Sequence, residues 1–362
     1  MDHVGRLRRI QAALDENKLD SFLVTQLPNV RYLCGFTGSA GALLIGGGQG
    51  ATFFTDGRYV TQARGEVSGA RIVIARKAPI LAAAEFLAAA TQRRTPRLGI
   101  EAHIVTVRQR EQLAALLKSK WRIVPAPALI EQARMVKDKN EIRLIRRAID
   151  LGASLFRFAR KKIRPGVKET EVAALMEYQA RRAGAEGMSF STIIAAGKRS
   201  AVVHGRASET RIPRRGFVVC DFGVILEGYC SDRTRTVHVG LPSGQARQLY
   251  QAVLEAQAAA IDRVRPGVTA AEVDAAARKV LSRYHLARYF THSTGHGLGL
   301  EIHEAPRLAA GQTQKLEPGM VITIEPGAYV PGKQGVRIED VVVVTRTGCE
   351  VLSPTDKELI IV

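Results

Sequence analysis

Short runs of β-branched and aromatic residues alternate with longer amphipathic stretches through the first third of the chain. The runs are SFLVT, GALLI, ATFFT, ARIVIA, RLGI and WRIVPA, and residues 80–92 and 107–119 carry apolar positions at helical spacing between them. Such alternation predicts an α/β domain. A Pro-containing connection, PAPALIEQARMVKDKNEIRLIRRAIDLG, then leads into a long charged helix, which places a boundary near residue 130 and divides the chain into domains 1–127 and 128–362.

The second domain carries a faint internal repeat. IRPGVKETEVAAL at 163–175 is matched, 101 residues later, by VRPGVTAAEVDAA at 264–276. In each copy Pro and Gly end one helix and an Xaa-Xaa-Glu-Val pattern starts the next. RRGFVVCD at 214–221 is echoed by EPGMVITIE at 317–325 with one residue inserted. The repeat superposes Asp221 on Glu325 and, roughly, Asp232 on Glu339, so two related halves each bring a pair of carboxylates towards a shared centre.

Composition adds bounds. With 46% hydrophobic and 24% charged residues in 362, the chain is an ordinary globular protein with room for about two domains. The 53 Lys and Arg against 34 Asp and Glu give a net charge of +19, yet the basic residues are scattered along helices and not interleaved with aromatics, so no specific nucleic-acid partner is expected. Cys34, Cys220, Cys230 and Cys349 have no CxxC spacing, which points to neither a zinc knuckle nor a disulfide framework. The N-terminus has no signal-peptide pattern and no run approaches a membrane span, so a cytoplasmic location is expected.

Five residues carry the chemistry: Asp221, Asp232, His296, Glu325 and Glu339. Asp221 interrupts the apolar run GFVVCDFG, Glu325 interrupts MVITIEPGAY, and Glu339 precedes Asp340 and the run VVVV. An acid in such a strand costs several kcal/mol unless paired or metal-bound. Four carboxylates and one imidazole suit hard or borderline ions, manganese first, with cobalt, iron or zinc compatible. Five ligands exceed the needs of one ion, so two ions with a bridging water, a hydrolytic arrangement, give the better count. The segment FTHSTGHGLGLEIHEAP adds His292 and His303 beside His296, and His204 lies in SAVVHGRAS. Arg337, two residues before Glu339, is expected on the same side of a strand, there either to hold a substrate carboxylate or carbonyl or to pair with a metal-binding carboxylate.

The strings DFGVILEGYCSDRTRT, HSTGHGLGLEIHE, TIEPGAY and GVRIED resemble, in order and spacing, the proline-specific members of the pita-bread metallopeptidases. The resemblance implies a creatinase-like α/β N-terminal domain followed by an α+β pita-bread domain with pseudo-twofold duplication, and a homodimer. It also implies that Asp232 and Glu339 bridge two divalent ions, that Asp221 binds one, and that His296 with Glu325 completes the other. His204 and His303, with Glu325, would be catalytic, and His292, Tyr329 and Arg337 would line a pocket for proline. A tertiary amide without an N–H fits poorly in sites that bind peptides as strands, so it calls for a pocket of its own. The segments NVRYLCGFTGSAGALLI and FFTDGRYVTQA look more like aminopeptidase P than prolidase, which cleaves only dipeptides; Asp56 and Arg58 form either part of an entrance or an ordinary turn. Release of the first residue from peptides beginning Xaa-Pro is therefore expected, with a strict Xaa-Pro dipeptidase as the alternative and an inactive scaffold acting as a binding protein as a reading from a different class.

Overall fold

A computed structural model describes residues 1–46, 50–89, 95–353 and 357–362. The chain forms two compact units, Met1–Arg134 and Met135–Val362. In the first, the six apolar runs become strands β1 (Ser21–Val24), β2 (Ala42–Gly46), β3 (Gly50–Asp56), β4 (Arg71–Ala75), β5 (Arg97–Glu101) and β6 (Arg122–Ala126). They form one mixed sheet in the order β4-β3-β2-β1-β5-β6, antiparallel at β1–β2 and β2–β3 and parallel elsewhere. Helices α1 (His3–Glu16), α2 (Leu27–Cys34), α3 (Val60–Glu66), α4 (Pro79–Ala89), α5 (Val107–Leu117) and α6 (Leu129–Met135) accompany it. The helix expected over 80–92 forms as α4; its positions 90–92 lie outside the described residues. Leu23, Leu44, Phe54 and Leu98 of the sheet share a buried cluster with Ala84 and Leu87 of α4 and Leu113 and Leu117 of α5.

The division falls one short helix later than residue 127. Asn29 on α2 donates to Glu131 at 2.6 Å and accepts from Arg134 at 2.6 Å, and the Tyr32 hydroxyl donates to the Ala133 carbonyl. These bonds make α6 part of the first unit. Asp56 accepts from the Arg58 backbone and guanidinium, the geometry of an ordinary turn.

The second unit is built twice. Its first half runs through α7 (Lys139–Arg160), α8 (Glu169–Arg182), β7 (Gly187–Met188), β8 (Ile193–Ala196), β9 (Gly216–Phe222), β10 (Val224–Leu226), β11 (Tyr229–Cys230) and β12 (Arg233–Val239). The second runs through α9 (Gly244–Arg263), α10 (Ala270–Arg283), β13 (Gly295–Gly297), β14 (Glu304–Leu308), β15 (Val321–Ile324), β16 (Gly327–Val330), β17 (Gln334–Arg337), β18 (Asp340–Val344), β19 (Cys349–Val351) and β20 (Ile360–Ile361). The main sheets are β20-β12-β9-β8 and β14-β13-β15-β18-β19.

Each RPGV motif turns the chain from the long helix into a helix of 14 residues. Gly166 and Gly267 hold φ of +86° and +82°, a backbone region open to glycine. The turns are tied down by equivalent hydrogen bonds: Gly166 N to Ile212 O and Ile212 N to Val167 O in one half, Gly267 N to Leu316 O and Leu316 N to Val268 O in the other. The acids repeat likewise. Asp221 lies near the end of β9 and Glu325 follows β15, while Asp232 and Glu339 immediately precede β12 and β18. The halves meet where Glu339 N donates to Thr234 O and the Thr236 hydroxyl donates to Arg337 O.

Candidate metal centre and its cavity

The alternation of side chains along β12 directs Asp232, Thr234 and Thr236 to one face, towards the segment that carries Arg337 and Glu339. His296 enters from β13 and Glu325 from the end of β15. Ligand atoms of Asp232, His296 and Glu339 all lie within 4.8 Å of one another. His296 Nε2 stands 3.6 Å from Asp232 Oδ2 and 3.5 Å from Glu325 Oε1. The Asp221 carboxylate pairs with the Arg337 guanidinium, and its charge acts on Asp232, Glu325 and Glu339.

Electrostatically the cluster is short of positive charge. Burial, followed by the charges of Glu339, Asp221 and Glu325, pushes Asp232 well above the usual carboxylate range against the opposing pull of Arg337. Glu325 moves the same way, through burial and then Glu339. Burial and the Asp221 charge push Glu339 up to about 8, although the Thr234 hydroxyl and two arginines pull it down. Glu339 Oε1 is buried without a hydrogen-bond partner. Burial also lowers His296 to about 4, so its ring is neutral at pH 7. Its Nδ1 lies 3.0 Å from the Gly297 carbonyl, which takes the ring proton and leaves the Nε2 lone pair facing carboxylates. Lone pair against carboxylates, beside an orphaned carboxylate oxygen, is an arrangement that a divalent cation relieves, and the donor set fits one.

All five expected ligands are thus brought together. A cavity of about 820 Å³ opens onto four of them, all but the buried Glu339, and is lined among others by His204, Asp221, Asp232, His292, His296, His303, Glu325 and Arg337. The volume lies in the range of small-molecule sites. His303 packs edge-on to His296, with ring centres 4.5 Å apart. Arg337 ends β17, so a one-residue junction separates it from Glu339 and the two do not share a strand; its salt bridge is to Asp221. Its Nη1 also donates to the Tyr329 hydroxyl at 2.7 Å, and that hydroxyl lies 2.9 Å from His292 Nε2. Burial, then Arg337, lowers His292 to about 3, and burial raises Tyr329 to about 12. The relay therefore runs from a charged arginine through a protonated phenol to a neutral imidazole. Cys220 and Cys230 point into apolar clusters and take no part.

Two groups of residues were missed in the sequence. Thr234 gives its hydroxyl proton to Glu339 Oε2 at 2.9 Å and accepts from Arg337 Nε at 3.2 Å. Its signal was the Asp-x-Thr-x-Thr alternation of DRTRT, which places it on the Asp232 face. Phe190, Ile193, Val203 and Ile302 form apolar walls of the cavity and Arg206 and Arg307 add charge, none with any local pattern that marks it.

Residues 143–346 match the model of metallopeptidase family M24, and residues 6–136 match that of the Creatinase/Prolidase N-terminal domain. The Xaa-Pro dipeptidase of Pyrococcus horikoshii is 37% identical over 357 residues, 98% of either chain. Among solved structures, an Xaa-Pro dipeptidase from Bacillus anthracis superposes with a TM-score of 0.95 at 40% identity, covering 100% of both chains. The X-Pro aminopeptidase of Thermotoga maritima gives 0.89 at 33%, covering 98% of this chain and 99% of its own. A duplicated unit that gathers four carboxylates and a histidine, following an α/β unit of the matching kind along the chain, agrees with these likenesses, and the chain belongs to metallopeptidase family M24, with a creatinase-type N-terminal domain and a pita-bread catalytic domain.

Proposed function

We propose that the protein is a metal-dependent exopeptidase that hydrolyses the bond between an N-terminal residue and a following proline. The observation that carries this reading is the convergence of Asp232, Glu325 and Glu339 on the neutral face of His296 at a cavity edged by His204, His292 and His303. Asp232 and Glu339 would bridge two divalent ions, Asp221 would hold one, and His296 with Glu325 the other; the oxygen-rich set favours manganese, with cobalt or zinc compatible. When bound, such ions supply a water of lowered pKa and polarise the scissile carbonyl. Glu325, which lines the cavity beside His296, would take the proton that the attacking water gives up. His204 and His303 face the cavity as hydrogen-bond partners for the carbonyl oxygen as it gains charge. His292 and Arg337 line the cavity and are tied together through the buried Tyr329 hydroxyl, a stiff surface suited to a ring that cannot adapt.

Dipeptides are the favoured substrates. The relatives named Xaa-Pro dipeptidase are the more similar, at 37% and 40%, against 33% for the aminopeptidase. Exposed Arg206 and Arg307 on the cavity lining would also suit a free carboxylate close behind proline. The aminopeptidase reading rests on the motifs of the N-terminal half. Parallel assays of an Xaa-Pro dipeptide and an Xaa-Pro tripeptide separate the two. Cleavage of the dipeptide alone fits the proposal, and release of the first residue from the tripeptide at a comparable kcat/KM returns the chain to an aminopeptidase.

A further inference from the structure

Helices α8 and α10 occupy equivalent places in the two halves, and each carries a buried carboxylate that metal binding does not use. Glu169, at the start of α8, is fully buried. It accepts from Ala196 N at 2.8 Å, from Ser208 N at 3.0 Å, from Ser208 Oγ at 2.7 Å and from Arg199 Nε at 3.0 Å. Arg199 continues the tie to the Arg206 carbonyl at 2.6 Å. One side chain thus closes both ends of the segment between Ala196 and Ser208, and Val203, His204 and Arg206 of that segment line the cavity.

In the second half Asp274 of α10 is 1% exposed. It accepts from Thr294 Oγ1 at 2.7 Å, from Thr294 N at 3.2 Å and from Arg278 Nε at 2.7 Å. Arg278 donates to the carbonyls of Phe290 at 3.0 Å and His292 at 2.6 Å. The pair therefore holds the segment that bears His292.

The helices themselves do not require these acids. With the 101-residue offset, Glu169 falls on Ala270 and Asp274 on Ala173, both buried. A buried carboxylate costs several kcal/mol of desolvation, which its hydrogen bonds must offset. In both halves those bonds go to the backbone of a cavity segment and to an arginine that binds the same segment. We propose that Glu169 and Asp274 are positioning residues, each holding one substrate-facing histidine, His204 or His292, in register with the cavity. This rests on the reading of those two histidines given above.

The test is a pair of double-mutant cycles, Glu169→Gln with His204→Ala and Asp274→Asn with His292→Ala, in metal-loaded protein. Metal content, kcat and KM on an Xaa-Pro dipeptide, and the rate of trypsin cleavage after Arg199 and Arg206 are measured. The expected result is unchanged metal content, a loss of about tenfold in kcat/KM for each amide variant, and less than about a twofold further loss when the partner histidine is already alanine. Trypsin should cut the Glu169→Gln protein faster at both arginines. A full tenfold loss on the alanine background, or a loss matched by lost metal, overturns the proposal. Should His204→Ala or His292→Ala leave kcat/KM unchanged, the reading of that histidine fails. The positioning claim for Glu169 then stands or falls on the trypsin rates. If Glu169→Gln does not fold, Ser208→Ala and Arg199→Gln remove its partners singly and must show the same dependence on His204.

Discussion

The Thr234 hydroxyl stands between two opposite charges, donating to Glu339 and accepting from Arg337. Without it the guanidinium and the carboxylate lose the group that keeps them apart and oriented. Thr234→Val is expected to weaken metal binding about 10–100-fold, as loss of such outer partners does, and Thr234→Ser to restore it; titration of metal-free protein with manganese measures both. Arg337→Ala leaves Asp221 without its buried ion pair, and breaking such a pair costs about 3–5 kcal/mol. Urea unfolding of the metal-free variant checks this, and a loss below about 1 kcal/mol would return Arg337 to a purely substrate-binding role. His292 gives a pH prediction. Its folded pKa of about 3 lies below the ordinary 6.5, chiefly through burial, so between these values the unfolded chain binds more protons. The stability tied to the neutral ring is complete above about pH 6.5 and is lost as pH falls towards 3. His292→Gln should flatten that acid limb, read as urea midpoints from pH 4 to 7; an unchanged slope would mean that the ring is not held neutral.

Among the elements, the starts of α8 and α10 show how a duplicated plan diverges. Thr269 and Glu272 form a capping box on α10, each side chain bonding the other residue's backbone, whereas Lys168 before α8 has no side-chain cap. Thr269→Ala is expected to cost about 1 kcal/mol, seen as a lower urea midpoint with unchanged metal content. The duplication itself was legible, because a Pro-Gly turn and a helix-start pattern are local signals that survive divergence. The clustering of the acids was legible for a different reason: an acid set in an apolar strand is expensive wherever that strand goes. Glu169, Asp274 and Thr234 were not legible. An acid in the first turns of a helix, or a threonine in a strand, is unremarkable until the register of distant segments supplies its partners. The same holds for α6, which the chain places in the first unit through bonds made by Asn29 and Tyr32.

At the scale of the whole molecule, likeness to known peptidases runs through both units, over 98% of the chain in the Pyrococcus protein. Among the described residues no helix is long and apolar enough to cross a membrane. The second unit gathers three buried carboxyls, Asp232, Glu325 and Glu339, each raised by burial and by neighbouring charges. A ligand that binds only the folded state stabilises it by mass action, so divalent ions should raise the unfolding temperature and Asp232→Ala should abolish the rise. Metal-dependent hydrolysis is measured by assaying an Xaa-Pro dipeptide with protein stripped by chelator and then resupplied with manganese, cobalt or zinc. The expected result is no hydrolysis by the stripped protein and recovery with at least one ion. Activity that survives verified metal removal, or none with any ion, would contradict it.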